Sequence, residues 1–108
     1  MMAMYLRYIE PKHLAEYLFN DEIDGIPDGL GKHQKRFRLK RIFSFGGDVG
    51  FDFEDRKDAD EFEKDVKTAL KKTMFDGCAI ERINQDDGNI TIKIPFGYLI
   101  FMSITIED

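Results

Sequence analysis

Residues 36–54 read RFRLKRIFSFGGDVGFDFE. Apolar and polar side chains alternate on both sides of Gly46-Gly47-Asp48, which is the pattern of two β-strands joined by a tight turn. The apolar side chains that share one parity are Phe37, Leu39, Phe43, Phe45, Val49, Phe51 and Phe53. The stretch therefore predicts a β-hairpin with its aromatic side chains on one face.

The register of this hairpin depends on the length of its turn. A three-residue turn pairs Phe43 with Phe51. It also sets Lys40 opposite Glu54 on the other face. Arg41 then falls on the apolar face, so either a bulge re-aims this part of the strand or the register is a different one.

An amphipathic helix follows the hairpin. Asp58 and Glu61 have the spacing of a capping box, in which each side chain bonds a free backbone N–H of the first turn. The pattern predicts a helix over residues 59–75 that ends at Gly77 and buries one apolar stripe. The stripe consists of Ala59, Phe62, Val66, Ala69, Leu70 and Thr73.

The remaining segments complete a mixed pattern. Pro11 and the apolar residues after it predict a short helix at 11–19, and residues 5–9 either form a strand before it or extend it. The last predicted strand has apolar residues on both parities, as in a central strand that is covered on both faces. Turn residues separate three strands in this part of the chain, predicted at 79–83, 89–94 and 98–106.

The elements thus come in the order α-β-β-α-β-β-β. We expect an α+β fold, with a mainly antiparallel sheet of about five strands, one long helix packed on a face and a short N-terminal helix. A chain of 108 residues has the size of a single domain, 1–108.

The cysteine content and the apolar runs indicate the compartment. The one cysteine, Cys78, cannot form an internal disulfide, which favours a reducing environment. The first residues lack the basic region of a signal peptide, and no apolar stretch approaches the roughly 20 residues of a membrane-spanning helix. We therefore expect a cytoplasmic protein with no membrane partner, in which Cys78 is a buried, unreactive thiol.

Charge is segregated along the chain, whose net charge is −5. Residues 48–65 carry nine acids against three cations. Before them, six cations fall within ten residues that contain no acid: Lys32, Lys35, Arg36, Arg38, Lys40 and Arg41.

This basic run has two interpretations. Interleaved with Phe37 and Leu39, it would follow a nucleic-acid backbone or hold another anion on one face of a strand. In the other interpretation, its cations are solvated residues that face acids of the partner strand. The rest of the chain is strongly acidic and would repel nucleic acid, so we expect nucleic acid not to be the partner.

The acidic segment also has two interpretations. Acids at the start of the long helix and lysines at its end match the helix dipole, and Asp60–Lys64 and Glu63–Lys67 are favourable i,i+4 pairs. Further acids before the helix indicate a surface for a cationic protein. The residues assigned to that surface are Asp48, Asp52, Glu54, Asp55, Asp60 and Glu63.

Signals for metal binding and for catalysis are weak. Residues 20–31 imitate a calcium loop, but Gly31 stands where the bidentate glutamate belongs. Cys78 and the two histidines lack the spacing of a zinc motif. No nucleophile elbow and no phosphate loop is present. We expect no metal, no cofactor and no catalytic residue, and an enzyme with an unfamiliar site is the third alternative.

The leading expectation is a small acidic protein-binding module. It would neutralise a basic partner protein such as a nuclease toxin, as inhibitors and immunity proteins do, because acid-rich surfaces steer rapidly onto cationic clefts. Nucleic-acid or anion binding by residues 32–41 is the first alternative. The composition leaves open both a homo-oligomer and a binding role for residues 20–31.

Overall fold

The computed structural model describes residues 2–8, 35–71 and 73–107. The predicted short helix at 11–19, the imitated calcium loop at 20–31 and Lys32 lie outside these residues. The described elements are β1 (Met2–Tyr8), β2 (Lys35–Leu39), β3 (Arg41–Phe45), β4 (Asp48–Phe53), α1 (Arg56–Leu70), β5 (Glu81–Asn84), β6 (Ile90–Pro95), a 3₁₀ helix (Phe96–Phe101) and β7 (Met102–Glu107).

The strands form two antiparallel sheets. One sheet has the strand order β2-β1-β7 and the other has the order β3-β4-β6-β5. The predicted α+β class with antiparallel pairing and one main helix is confirmed. The prediction of about five strands in a single sheet is wrong, because the chain leaves one sheet for the other at two places, between β2 and β3 and through the 3₁₀ helix.

Lys40 is the first of these places. β2 ends at Leu39, whose side chain is buried, and the next strand begins at Arg41. The backbone N–H of Lys40 donates to the carbonyl oxygen of Asp52, with 2.8 Å between the two atoms. Beyond the bend, Ile42 packs against the core, three residues after Leu39. The alternation therefore changes parity here, which turns Arg41 away from the apolar face.

The hairpin forms as predicted, but in another register, which puts Phe43 on the face opposite to Phe51 instead of on one shared aromatic face. Its turn has two residues, Gly46 and Gly47, and Ile42 pairs with Phe51. Gly46 has a φ of 63°, which is the left-handed conformation that two-residue hairpin turns require. The shorter turn shifts every pair by one residue, so Arg41 faces Asp52.

The long helix begins earlier and ends earlier than predicted. Asp55 is the N-cap, and its side chain accepts a hydrogen bond from the backbone N–H of Lys57. Asp58, the predicted cap, lies in the first turn, where its carboxylate accepts a hydrogen bond from the backbone N–H of Arg38 at 3.2 Å. The helix stops at Leu70. Within its apolar stripe, the residues from Ala59 to Leu70 are buried as predicted.

Phe62 joins α1 to both sheets. Its ring meets Phe37 of β2 edge-to-face, with 5.7 Å between the ring centroids. On the other side it packs on Phe51 and Phe53 of β4, at centroid distances of 4.8 and 5.2 Å. Edge-to-face and tilted rings are favourable arrangements for aromatic pairs. The core therefore lies between the helix and the inner faces of the two sheets.

The two ends of the chain differ most from expectation. Residues 2–8 form the central strand of the three-stranded sheet, whereas the sequence left residues 5–9 open between strand and helix. The predicted strand at 98–106 is wrong in its first half, because Phe96–Phe101 forms a 3₁₀ helix. Three residues per turn place apolar side chains on both strand parities, which explains the misleading pattern. Among the described residues, no helix has the length and apolar character needed to cross a membrane.

Candidate functional site

Several cations of the basic run lie against acids of the following segment. The Nζ of Lys35 is 3.0 Å from the carboxylate of Asp65, whose side chain is buried against β2. This hydrogen bond raises the pKa of Lys35 above its ordinary value. Arg38 pairs with Asp55, the helix cap, and its Nε is 3.5 Å from Asp58. These contacts attach β2 to α1 and use charges that the sequence left open for a partner.

A polar network lies on the outer face of the four-stranded sheet. Arg41 Nε donates to one carboxylate oxygen of Asp52, and the Thr91 hydroxyl donates to the other. Gln85 in turn donates to Thr91. The Asp52 side chain is only 3% exposed. Its carboxylate is thus buried within this network on the outer face and is not available to a partner.

Arg41 has a second contact on the same face. Its guanidinium lies over the ring of Phe43, 4.8 Å from the centroid, in a cation–π arrangement. The Phe43 ring itself lies across Gly50, where a Cβ would overlap the ring atoms. Glycine at position 50 therefore leaves the space that the Phe43 ring occupies beside Arg41.

Asp60 and Glu63 both turn toward Arg82 of β5. The Nη1 of Arg82 is 2.8 Å from a carboxylate oxygen of each acid. Glu63 also pairs with Lys67 at 3.1 Å, which confirms that predicted i,i+4 pair, whereas Asp60 bonds Arg82 instead of Lys64. Burial raises the pKa of Glu63, but the bonds from Arg82 and Lys67 outweigh it and leave the pKa below the ordinary 4.5.

The Arg82 contacts predict a pH-dependent stability. A lowered pKa in the folded state stabilises the protein above pH 4.5, and that contribution is lost as the pH falls through the folded-state pKa. Arg82→Met keeps the apolar stem and should cost roughly 0.5 to 1 kcal/mol at neutral pH. Urea unfolding at neutral and at acidic pH should show this cost shrinking toward zero in acid.

Arg36→Met is the matched control, since Arg36 is exposed and no carboxylate among the described residues pairs with it. It should change stability little at either pH. An Arg82→Met deficit of the same size in acid as at neutral pH would contradict the assignment of the effect to Glu63.

Of the six acids assigned to a partner surface, four make ion pairs within the chain. Only Asp48 and Glu54 have no ion pair to a described residue. They stand at opposite ends of β4, separated by about 20 Å of extended chain. The structure therefore does not bring the six acids together as one open surface.

A different cluster, of aromatic side chains, forms at one end of the molecule. We call it the turn end, and it comprises residues 46–48, residues 73–80 and the 3₁₀ helix. Phe75 stacks on Tyr98 with 4.4 Å between centroids, and it meets Phe101 edge-to-face at 6.3 Å. The backbone N–H of Phe96 donates to the carbonyl oxygen of Gly47 at 2.9 Å. These contacts hold the three segments of the turn end together.

Around this aromatic cluster, large apolar side chains face solvent. Met74 is 83% exposed, Phe96 is 68% exposed and Ile100 is 54% exposed. Among the described residues, the other exposed large hydrophobic residue is Ile83, at 38% on β5. The sequence pattern does not indicate this patch, because it predicts a strand at 98–106 and a long helix that includes Met74.

Cys78 also belongs to the turn end, and the prediction that it is buried is wrong. The residue is exposed, because the chain turns at residues 74–77 before β5 begins. The hydrogen bond between Tyr98 and Cys78 raises the pKa of Tyr98 above 10.0. A cavity of about 430 Å³ lies beside Cys78, between Phe75 and the last turn of α1.

Two further observations bear on the kind of site this is. Within the residues that the structure describes, no group of three or more acidic, histidine or cysteine side chains is placed to hold a metal ion. Comparisons of the chain with protein-family models, with curated proteins and with solved structures each found no match.

Proposed function

We propose that this chain is a small acidic protein-binding module, of the inhibitor or immunity type, which neutralises a basic partner protein and contacts it through the turn end. The observation that carries the proposal is the exposure of Met74 and Phe96 beside the packed Phe75–Tyr98 pair. Large apolar side chains exposed around one end of a protein often mark a site where another protein binds.

The turn end has the properties of a binding hot spot. Phe96 follows Pro95 and begins a 3₁₀ helix that Tyr98 and Phe101 hold against Phe75, so its backbone is positioned before any partner arrives. Because this backbone is already ordered, binding has to fix the side chain of Phe96 but not the backbone that carries it. Large apolar anchors at the centre of an interface supply most of its binding energy.

The acidic character would act at the rim of this contact. Asp48 directly follows the hairpin turn that Phe96 bonds, and Asp76 directly follows Phe75. Neither acid has an ion pair to a described residue. The chain as a whole has a net charge of −5. These rim acids would attract a cationic surface and speed its association. The four ion-paired acids that the sequence assigned to a partner surface would contribute less to this attraction, since their charges already have partners within the chain.

Capture experiments would test this proposal. The purified protein, immobilised, is exposed to an extract of the cell that makes it, and retained proteins are compared with those retained by Phe96→Ser and Met74→Ser. We expect the variants to lose a protein that the wild type retains, with unchanged thermal unfolding. Ile83→Ser, an exposed apolar residue on β5, is the matched control and should keep it.

The same complex allows a test of the rim acids. Asp48→Lys together with Asp76→Lys should lower the association rate constant at low salt by about tenfold or more, and much less at high salt. Glu54→Lys, at the far end of β4, should have a smaller effect. A complex that survives the loss of Phe96 and Met74 unchanged would show that the contact lies elsewhere.

Nucleic-acid or anion binding is the second candidate, and one observation favours it. Arg36 pairs with Tyr5 on the outer face of the three-stranded sheet, so a cation and an aromatic ring are adjacent on one surface. Stacking on an aromatic ring beside a cation is how many proteins hold single strands. Against this, Arg38 on the same face is ion-paired with Asp55.

We therefore expect no binding of single-stranded or duplex nucleic acid at physiological salt. Fluorescence anisotropy with labelled oligonucleotides, measured over a range of salt concentrations, provides the check. Micromolar affinity that falls steeply with salt and is lost in Tyr5→Ala or Arg36→Ala would favour the second candidate over the first.

A further inference from the structure

The described parts of the two sheets have four outer edges, and those of β2 and β5 are the most fully protected. On β2, the N–H of Arg38 is bonded by the Asp58 side chain, so the helix covers that edge. The edge strand β5 is four residues long and charged, and β3 begins with Arg41 after Lys40. Short edges, charges and covering elements are the usual ways in which proteins prevent strands from pairing between molecules.

The edge of β7 has no such protection from the residues that the structure describes. Its six residues are Met102–Glu107, and its one charge is the last residue. It contains no proline and no glycine. β1 lies on one side of it, and no described strand pairs with the other side. Ile104 and Ile106 on its inner face are only half-buried, although they pair with the buried residues Leu6 and Met4 of β1.

The sequence of β7 is complementary to itself when two copies run antiparallel. With Ile104 placed opposite its own counterpart, Ser103 faces Thr105 of the second copy, and Met102 faces its Ile106. Hydroxyl then meets hydroxyl on the outer face, and apolar side chain meets apolar side chain on the inner face. The two Glu107 side chains lie at opposite ends of the paired stretch and do not oppose each other.

We propose that two copies of this chain associate through β7 in this register, which joins their three-stranded sheets into one sheet of six strands. The pairing gives each free N–H and C=O of the edge a partner and covers Ile104 and Ile106. A two-fold axis that passes between the two Ile104 residues makes the interface isologous. The assembly therefore closes as a dimer and does not extend into a fibre.

Charge-swap variants on the outer face test both the dimer and its register. Ser103→Lys with Thr105→Lys sets lysines opposite each other twice in the dimer, whereas Ser103→Lys with Thr105→Glu sets a lysine opposite a glutamate twice. Both pairs of substitutions change the same two outward-facing positions, and in both the lysine at position 103 lies opposite Arg7 of β1. Circular dichroism melts verify that each variant is folded.

Sedimentation velocity of the full chain from micromolar to near-millimolar concentration gives the readout. We expect the wild type to show a monomer–dimer equilibrium, the lysine pair to weaken the dimer by roughly tenfold or more, and the lysine–glutamate pair to preserve it. A wild type that stays monomeric throughout, or two variants that change dimerisation equally, would overturn the proposal.

Discussion

Replacing Phe62 with alanine is expected to lower the free energy of unfolding by about 3 to 5 kcal/mol. The ring is fully buried and contacts Phe37, Phe51 and Phe53, which belong to two different sheets. Its removal would leave a cavity. Neither sheet could fill that cavity without moving away from the other sheet. The loss should therefore fall in the upper part of the range for buried aromatic residues.

Lys64→Ala is the control on the same helix. Lys64 is exposed and should change the stability by less than about 0.5 kcal/mol. Urea unfolding curves of the two variants and the wild type give the comparison. Equal shifts of the two midpoints would mean that Phe62 does not connect the sheets in solution.

The sequence predicts those elements whose cause is local. The stripe of α1 repeats at helical spacing over about three turns, and the hairpin alternates around two glycines, so both follow from nearby residues alone. The register of the hairpin depends on whether the turn has two or three residues. A difference of one residue in the turn shifts every pair, and the alternating pattern fits both lengths. Alternation through Phe37 and Leu39 appeared to continue to Phe43, and the one sign of a change, Arg41 on the apolar parity, does not by itself locate the bend at Lys40.

The division into two sheets is a long-range property. It depends on β1, which begins the described chain, lying between β2 and β7, which are separated from it by tens of residues. No local pattern contains that information. Residues 2–8 alternate in burial, but seven residues with apolar side chains on both parities suit a strand and a helix equally well in isolation.

The candidate site illustrates the same division between local and long-range causes. The segregated charges were visible in the sequence, but their meaning depended on which segments meet. Arg38 reaches Asp55 and Lys35 reaches Asp65 because β2 lies beside α1. The exposed patch at the turn end depends on Phe96–Phe101 forming a 3₁₀ helix, which the strand-like sequence pattern does not predict.

Arg41→Met is the second substitution with a large expected effect, a loss of about 2 to 3 kcal/mol. Asp52 is buried, and without the guanidinium its carboxylate keeps, among the described residues, only the Thr91 hydroxyl as a donor. An unpaired buried charge costs several kcal/mol, although the high exposure of Arg41 itself reduces the value of the pair. The contact of Arg41 with the Phe43 ring adds a smaller share.

A second substitution separates these two causes. Asp52→Asn removes the buried charge but keeps an oxygen that can accept a hydrogen bond from the Thr91 hydroxyl. Added to Arg41→Met, it should restore about 1 kcal/mol or more, because a neutral amide is cheaper to bury than a carboxylate that has lost its cation. The four proteins of this double-mutant cycle, compared by urea unfolding at neutral pH, give the coupling directly. If Asp52→Asn destabilises the Arg41→Met protein further, water reaches Asp52, and that carboxylate becomes available again as part of an acidic binding surface.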